Sequence, residues 1–375
     1  MKKIKTILVI TTSYYPFVKN LCDEFARKGY SVIVLSPQSI ISRIRHKRAI
    51  SPLERCDVVG DNKVYIYHPY KISIPNKYAK VNNFFTRLCV KRFLRKHHIK
   101  PDVCYGHFWS NGYIVLPFVK ANKIPLFVAT GEGELWRHAP VLTSPAYLEI
   151  NKYLNGAISV SSNNKNISQE IGLLKGKDCL VAPNAIDSSL FYARDRKALR
   201  DQYGFAQDDF IVAFVGAFNE RKGPHRVAEA INKVGGIKSI FIGGQGESEL
   251  KEPSCEGILY KGKLSHNIIP DYLCMADVFV LPTLNEGCCN AIVEALACGL
   301  PVVSSNRPFN FDVLDETNSI MVDPTNVDEI AAAIKELKGN TNRRKQLSEG
   351  ALKKAEELTI DRRAEKILNF MEQHI

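Results

Sequence analysis

The chain has 375 residues, 45% of them hydrophobic and 24% charged, a balance that suits a globular protein of about two domains, each burying its own core. The formal net charge of +12 hides a division: residues 1–200 hold 32 Lys and Arg against 13 Asp and Glu, and the remainder 19 against 26. No run approaches the ~18–20 uninterrupted apolar residues of a membrane span. The ten cysteines form no C-x-x-C pair, so a disulfide scaffold and a structural zinc site are not expected, and the cysteines read as reduced core residues of a cytoplasmic protein.

In chain order, Lys2, Lys3 and Lys5 give the start a basic flank, but the apolar run yields to Thr11-Thr12-Ser13 too early for a secretory leader. Thr6–Thr11 reads as a first buried strand. Short Val- and Ile-rich runs follow at Ser31–Ser36, Val64–His68, Asp102–Gly106, Leu126–Thr130 and Gly156–Val160, alternating with amphipathic stretches. Such alternation predicts a parallel sheet covered by helices on both faces.

After the turn-forming group Pro183-Asn184-Ala185-Ile186-Asp187 the pattern restarts, with strands expected at Phe210–Val215, Ser239–Ile242, Ile258–Lys261, Val278–Leu281 and Pro301–Ser304. The α/β pattern therefore predicts two doubly wound domains meeting near residue 190, with ligands at the carboxyl ends of strands facing a cleft. The closing segment Asp361–His374 reads as a helix with Ala364, Ile367, Leu368 and Met371 at core-facing spacing.

The basic excess of the first half is densest at Arg43–Arg48 and Lys91–His98. It is either a solvated face or a surface for an anionic partner, the inner membrane leaflet or a phosphate-bearing acceptor. No helix-turn-helix, RNP-like or zinc-finger pattern supports a nucleic-acid partner.

The densest chemistry lies at Pro282-Thr283-Leu284-Asn285-Glu286-Gly287-Cys288-Cys289-Asn290, running on through Glu294 to Gly299-Leu300-Pro301. It follows a strand, so it occupies a strand-to-helix turn. Gly287 permits close backbone approach, and the amides after it would open a helix whose N–H groups suit phosphate or sugar oxygens. Glu286 is expected just before that helix and Glu294 about two turns into it, one carboxylate for a sugar hydroxyl and the other for a ribose diol. Taken singly, Glu286 would serve equally as a helix cap and Glu294 as a surface residue. Further upstream, Gly216 ends a strand, and Arg221-Lys222 precede Gly223-Pro224 and a helix, placing two cations where a diphosphate could be neutralised.

Taken together, Pro-Thr-Leu-x-Glu-Gly through Glu-Ala-Leu-Ala-Cys-Gly-x-Pro-Val-Val resembles the signature of glycosyltransferase family 4. Pro183–Asp187 with Phe191 resembles its inter-domain segment, Val215–Gly223 its phosphate loop, Gly243-Gly244-Gln245-Gly246 a glycine turn, and Tyr260–Leu264 its base-binding loop. The resemblance implies a GT-B fold of two Rossmann-like domains, 1–190 on the acceptor side and 191–359 binding the donor, with a final helix, 360–375, returning to the first. It implies retaining transfer of a sugar from a UDP- or GDP-linked donor to a glycan or lipid-diphosphate-linked acceptor in surface-polysaccharide assembly. Glu286, Lys222 and Arg221 would be the catalytic group. Glu294 would bind ribose, Gly262, Lys263 and Leu264 the base, and Gly216, Gly287, Cys288, Cys289 and Asn290 the sugar and phosphates.

The chain departs from the family pattern at three places. Ala217 stands where relatives carry an arginine, the loop Tyr14–Asn20 lacks paired glycines, and Thr130-Gly131-Glu132 has no histidine. On the acceptor side, Tyr15, His107 and Glu132 are the candidates, Glu132 for orienting the acceptor hydroxyl. No carboxylate motif for a divalent ion is evident, so neither a metal nor another cofactor is expected. A sugar-nucleotide epimerase on the same fold, or an inactive GT-B binding protein, are the other readings.

Overall fold

A computed structural model describes residues 4–14, 16–39, 41, 53–73, 79–133, 135, 139–244 and 252–375. It divides into two compact units, Met1–Ala182 with Arg363–Ile375, and Pro183–Arg362. The first crossing thus falls a few residues ahead of the position read near 190.

The first unit holds β1 (Thr6–Thr11), β2 (Ser31–Leu35), β3 (Gln38–Ser39), β4 (Glu54–Val59), β5 (Asn62–Tyr67), β6 (Tyr70–Lys71), β7 (Val103–His107), β8 (Leu126–Thr130), β9 (Leu154–Ser159) and β10 (Cys179–Val181). Eight of these form one sheet in the order β10-β9-β8-β7-β1-β2-β5-β4, and β3 pairs with β6 separately. Pairing within the large sheet is parallel except for the β4–β5 hairpin. The central strands are apolar without alternation because helices cover both faces: every residue of β7 and β8 is buried. The edge strand β4 has almost no buried residue, which is why its sequence carries no strand signal.

The helix Trp109–Asn122 is buried on nearly every side, through Trp109, Ile114, Val115, Leu116, Phe118 and Val119. The last helix, Ile360–Gln373, buries Ala364, Ile367, Leu368 and Met371, the four positions its spacing predicts. From Arg363 onward it belongs to the first unit, where Phe370 meets Phe127 edge-on at 6.0 Å between ring centroids and Tyr30 donates to Glu372 at 2.7 Å.

The second unit holds β11 (Ile211–Val215), β12 (Lys238–Ile242), β13 (Ile258–Gly262), β14 (Val278–Leu281), β15 (Val302–Ser305) and β16 (Ser319–Val322), all parallel in the order β13-β12-β11-β14-β15-β16. Asp277 fixes the register of its centre. Its buried carboxylate accepts from the Ile211 amide at 2.9 Å, Arg200 at 3.0 Å and Arg196 at 2.8 Å, tying the start of β14 to the start of β11. Strand order reverses between β11 and β14 here, and between β1 and β7 in the first unit. Such reversals open a crevice at the carboxyl ends of the strands, where doubly wound sheets hold ligands. Among the described residues, no helix is long and apolar enough to cross a membrane.

Candidate functional site

The reversal in the second unit brings two loops together. The loop after β11 runs through Gly216 to Gly223, where a positive φ of 70° starts the helix Pro224–Val234. Glycine suits this position because of its left-handed backbone, and a Cβ here would also displace the Arg226 guanidinium. Arg226 in turn donates to the Pro282 carbonyl at 3.0 Å, and the Leu284 amide donates to the Arg221 carbonyl at 2.8 Å. The loop after β14 is held from the other side by Ser305, whose hydroxyl donates to the Thr283 carbonyl at 2.5 Å, and by Asn310, which donates to the Ser305 carbonyl at 2.8 Å.

Between the loops lies a compact charged group. The Glu286 carboxylate receives Lys222 Nζ at 2.7 Å, Arg221 Nη1, and the Thr283 hydroxyl at 3.2 Å. Arg221 also donates to the Asn285 carbonyl at 2.8 Å, and Lys222 Nζ lies 3.5 Å from Cys289 Sγ. Burial pushes the Glu286 carboxyl up, but Lys222 and Arg221 outweigh it and hold the group below its ordinary value. Burial likewise opposes charge on Lys222, and the Cys289 sulfur and Glu286 carboxylate overcome it. Glu286 is thus an anion held by two cations, its own side chain only 14% exposed.

The helix at this loop is Asn290–Ala297, with Cys289 in extended geometry at its N-cap and no side-chain cap bond. Glu286 therefore lies four residues ahead of the helix, and Glu294 is little more than one turn into it, less than the two turns expected. The difference arises because Gly287, Cys288 and Cys289 run as loop before the helix begins. Asn184, from the segment read as inter-domain, donates to the Cys288 carbonyl at 3.0 Å and to Asn290 Oδ1 at 2.8 Å, fixing the approach to that helix start.

Glu294 stands apart from this group and pairs with His266, whose Nε2 lies 3.1 Å from Glu294 Oε1. His266 sits two residues past Leu264, so the loop carrying Gly262, Lys263 and Leu264 is tied to Glu294 through it. The Gly262 carbonyl accepts from the Gly243 amide at 2.8 Å. Among side chains the sequence did not single out, Thr283, Asn184 and His266 touch candidate residues directly. Asn184 and Thr283 lay inside quoted motifs, whereas His266 followed one and carried no periodic signal.

The His266 pair has a testable pH signature. The hydrogen bond His266 makes to the Glu294 carboxylate, with the Asp187 charge nearby, outweighs burial and raises His266 above its ordinary 6.5. A raised folded value means the contribution is fully present below the unfolded pKa and is lost as pH rises through the folded one. His266→Ala should therefore cost more stability at about pH 6 than at about pH 9, the difference being under ~1 kcal/mol because the ring is about half exposed. An equal loss at both pH values would dismiss the coupling.

In the first unit, the other described candidates sit at the end of β7 and just past the end of β8. Tyr15 lies outside the described residues. His107 ends β7 buried, between the Phe17 and Phe108 rings at 5.5 and 4.2 Å, and burial followed by the Arg363 charge lowers it to about 3, so it is neutral at physiological pH. Phe108 takes a φ of 108°, unusual for a bulky residue. Its carbonyl accepts from the Asn111 and Gly112 amides at 3.0 and 3.1 Å.

Glu132 places its carboxylate on the Trp109 amide at 3.1 Å, the Thr130 hydroxyl at 2.8 Å and the Gly131 amide at 2.9 Å. It thereby joins the end of β8 to the helix start at Trp109. Burial raises its carboxyl above the ordinary value against these bonds.

Known proteins agree with this layout. The sequence profile described as "Glycosyl transferases group 1" matches residues 195–354. A Bacillus subtilis protein named as the teichuronic acid biosynthesis glycosyltransferase TuaC is 24% identical over 342 residues, covering 86% of this chain and 87% of that one. Among solved structures, sucrose-phosphate synthase of Thermosynechococcus elongatus superposes with a TM-score of 0.81 at 16% identity, covering 98% of both chains. Anabaena HepE, solved in complex with UDP-glucose, superposes with a TM-score of 0.73 at 15% identity, covering 98% of this chain and 99% of that one. Residues 195–354 thus match the group 1 glycosyl transferase domain, and the chain as a whole shares the GT-B fold of these structures.

Proposed function

We propose that this glycosyltransferase moves a sugar, with retention, from a UDP- or GDP-linked donor to a hydroxyl of a glycan acceptor carried on a lipid diphosphate at the inner membrane surface. The observation that carries the reading is the Glu286 carboxylate held by Lys222 and Arg221 at the strand-order reversal of the second unit. The relatives add a donor chemistry: HepE is solved with UDP-glucose, and TuaC is named for teichuronic acid, a surface polymer.

In this mechanism Lys222 and Arg221 face the donor diphosphate and stabilise the charge that grows as its bond to the anomeric carbon breaks. The amides after Gly287, at an uncapped helix start, meet sugar and phosphate oxygens. Glu286 takes the donor sugar hydroxyls and Glu294 the ribose. The acceptor oxygen attacks the anomeric carbon from the face the diphosphate leaves, and the departing phosphate oxygen receives the acceptor proton. Protein groups then supply position and electrostatics rather than a covalent nucleophile.

Two cations at the diphosphate remove the need for a metal. The test is to incubate the protein with a panel of nucleotide sugars, with and without a lipid-diphosphate glycan acceptor, in excess EDTA. The expected result is release of nucleoside diphosphate and an axial or equatorial linkage matching the donor anomer by NMR. Turnover that disappears in chelator and returns with a divalent cation would overturn metal independence. An isomerised donor formed without acceptor would replace transfer by epimerisation.

A further inference from the structure

The helix Ala79–Lys96 has the sequence AKVNNFFTRLCVKRFLRK, with six basic residues and no acidic one. Its inner face is set by Thr86, Val90 and Leu94, all buried. Thr86 accepts from Lys71 at 2.8 Å, and the Cys89 thiol contacts the Tyr70 carbonyl, so the helix is seated on the fold along that side.

The opposite side is exposed and divided. Val81, Phe84 and Leu88 are 40%, 62% and 53% exposed, and Lys91, Arg92 and Arg95 are exposed beyond them. At about 100° per residue these six fall within an arc of about 100°, centred opposite Thr86, Val90 and Leu94. One outward stripe is therefore apolar along its first half and cationic along its second.

We infer that this stripe is a membrane-docking surface, lying flat on a bilayer with anionic headgroups. Three large apolar side chains held in water have no compensation in the isolated chain, and the acyl boundary would supply it. The cationic half requires negative charge in the same plane, which anionic headgroups provide. Eighteen residues of helix span about 27 Å, enough to lie along the interface rather than insert across it. A second copy is a poorer occupant. Parallel pairing would set Lys91, Arg92 and Arg95 against their own kind, and antiparallel pairing would set them against Val81, Phe84 and Leu88. The inference deepens the membrane-surface part of the proposed function and is independent of the donor chemistry.

The experiment is sedimentation of the full chain with vesicles of phosphatidylcholine containing about 30% phosphatidylglycerol, and with phosphatidylcholine alone. The wild type should pellet with the anionic vesicles and be released at high salt. Phe84→Glu/Leu88→Glu and, separately, Lys91→Gln/Arg92→Gln should each reduce the bound fraction about tenfold or more. Both should melt like the wild type and release nucleoside diphosphate from the donor in solution at its rate.

A wild type that stays in the supernatant, or variants that bind as well as it does, would overturn the inference. So would a wild-type dimer in sedimentation velocity that either double variant abolishes without vesicle binding. Vesicle binding without any sugar transfer would leave this surface standing and remove the proposed function instead.

Discussion

Replacing Glu286 with alanine should cut sugar transfer by about 10³-fold while leaving binding of the nucleoside diphosphate intact or tighter. The expectation follows from what the carboxylate touches. Lys222 at 2.7 Å and Arg221 both close on Glu286 Oε1, so in the unliganded protein the acid neutralises the two cations that the proposed mechanism assigns to the diphosphate. Its removal raises the positive charge of the pocket by one and frees both donors. The nucleotide moiety therefore gains partners, and the sugar loses the group that orients it.

Glu286→Gln isolates the charge from the shape, since an amide can still accept from the Thr283 hydroxyl, now at 3.2 Å from the carboxylate. It should lose transfer nearly as fully and unfold closer to the wild type. The Lys222 side chain is only 12% exposed, and a fully buried cation that loses its partner costs about 3–5 kcal/mol before relaxation, an upper bound here, so alanine should melt lower than glutamine. Titration calorimetry with UDP and GDP, alongside initial rates of transfer, separates the outcomes. Near-wild-type turnover in Glu286→Gln would remove Glu286 from the sugar site. Loss of nucleotide binding in both variants would show that Glu286 holds the loops rather than the donor.

What was legible in the sequence follows from how local each feature is. Strand β14 could be read to the residue because Val278–Leu281 is an unbroken apolar run between Asp277 and Pro282, buried on both faces. Strand β4 could not, because an exposed antiparallel edge places no hydrophobic requirement on Glu54-Arg55-Cys56. The chemistry divides similarly. Glu286, Arg221 and Lys222 each stood in a recognisable motif, but their convergence on one carboxylate depends on β11 and β14 being neighbours. That contact spans some 65 positions and no window of sequence contains it.

His266 on Glu294 is another such pairing, from a loop residue with no periodicity. Glu132 shows the converse. A carboxylate beside glycines in a strand-end loop reads as chemistry, yet its two oxygens are engaged by Trp109, Thr130 and Gly131, and that engagement is visible only once β7 and β8 lie side by side.

Gly243→Ala should destabilise the second unit and weaken donor binding together, because it acts on the wall of the site without touching a charged group. A Cβ at Gly243 would lie 1.9 Å from the Gly216 carbonyl oxygen and 3.0 Å from its carbon. Both are backbone atoms at the ends of adjacent strands. The Gly216 amide donates to the Ile242 carbonyl at 2.9 Å and the Phe218 amide to the Gly244 carbonyl at 3.0 Å, so the two chains are bonded on either side of the close approach and neither can swing away alone. Relief must come from moving the loop that carries Arg221 and Lys222.

Overpacking of this kind costs about 3 kcal/mol, which for a domain of this size is a fall in melting temperature of about 6–12 °C. Nucleoside diphosphate affinity should drop with it, since the displaced loop holds both cations. Gly29→Ala is a suitable control for substitution itself: it has open space around its Cβ in the first unit, and its φ of +91° makes it a strained replacement. It should cost stability and spare the affinity. If Gly243→Ala melts and binds like the wild type, the contact between the ends of β11 and β12 does not set the position of the phosphate-facing loop, and the placement of Arg221 and Lys222 must rest on their bonds with Leu284, Asn285, Glu286 and Asn219.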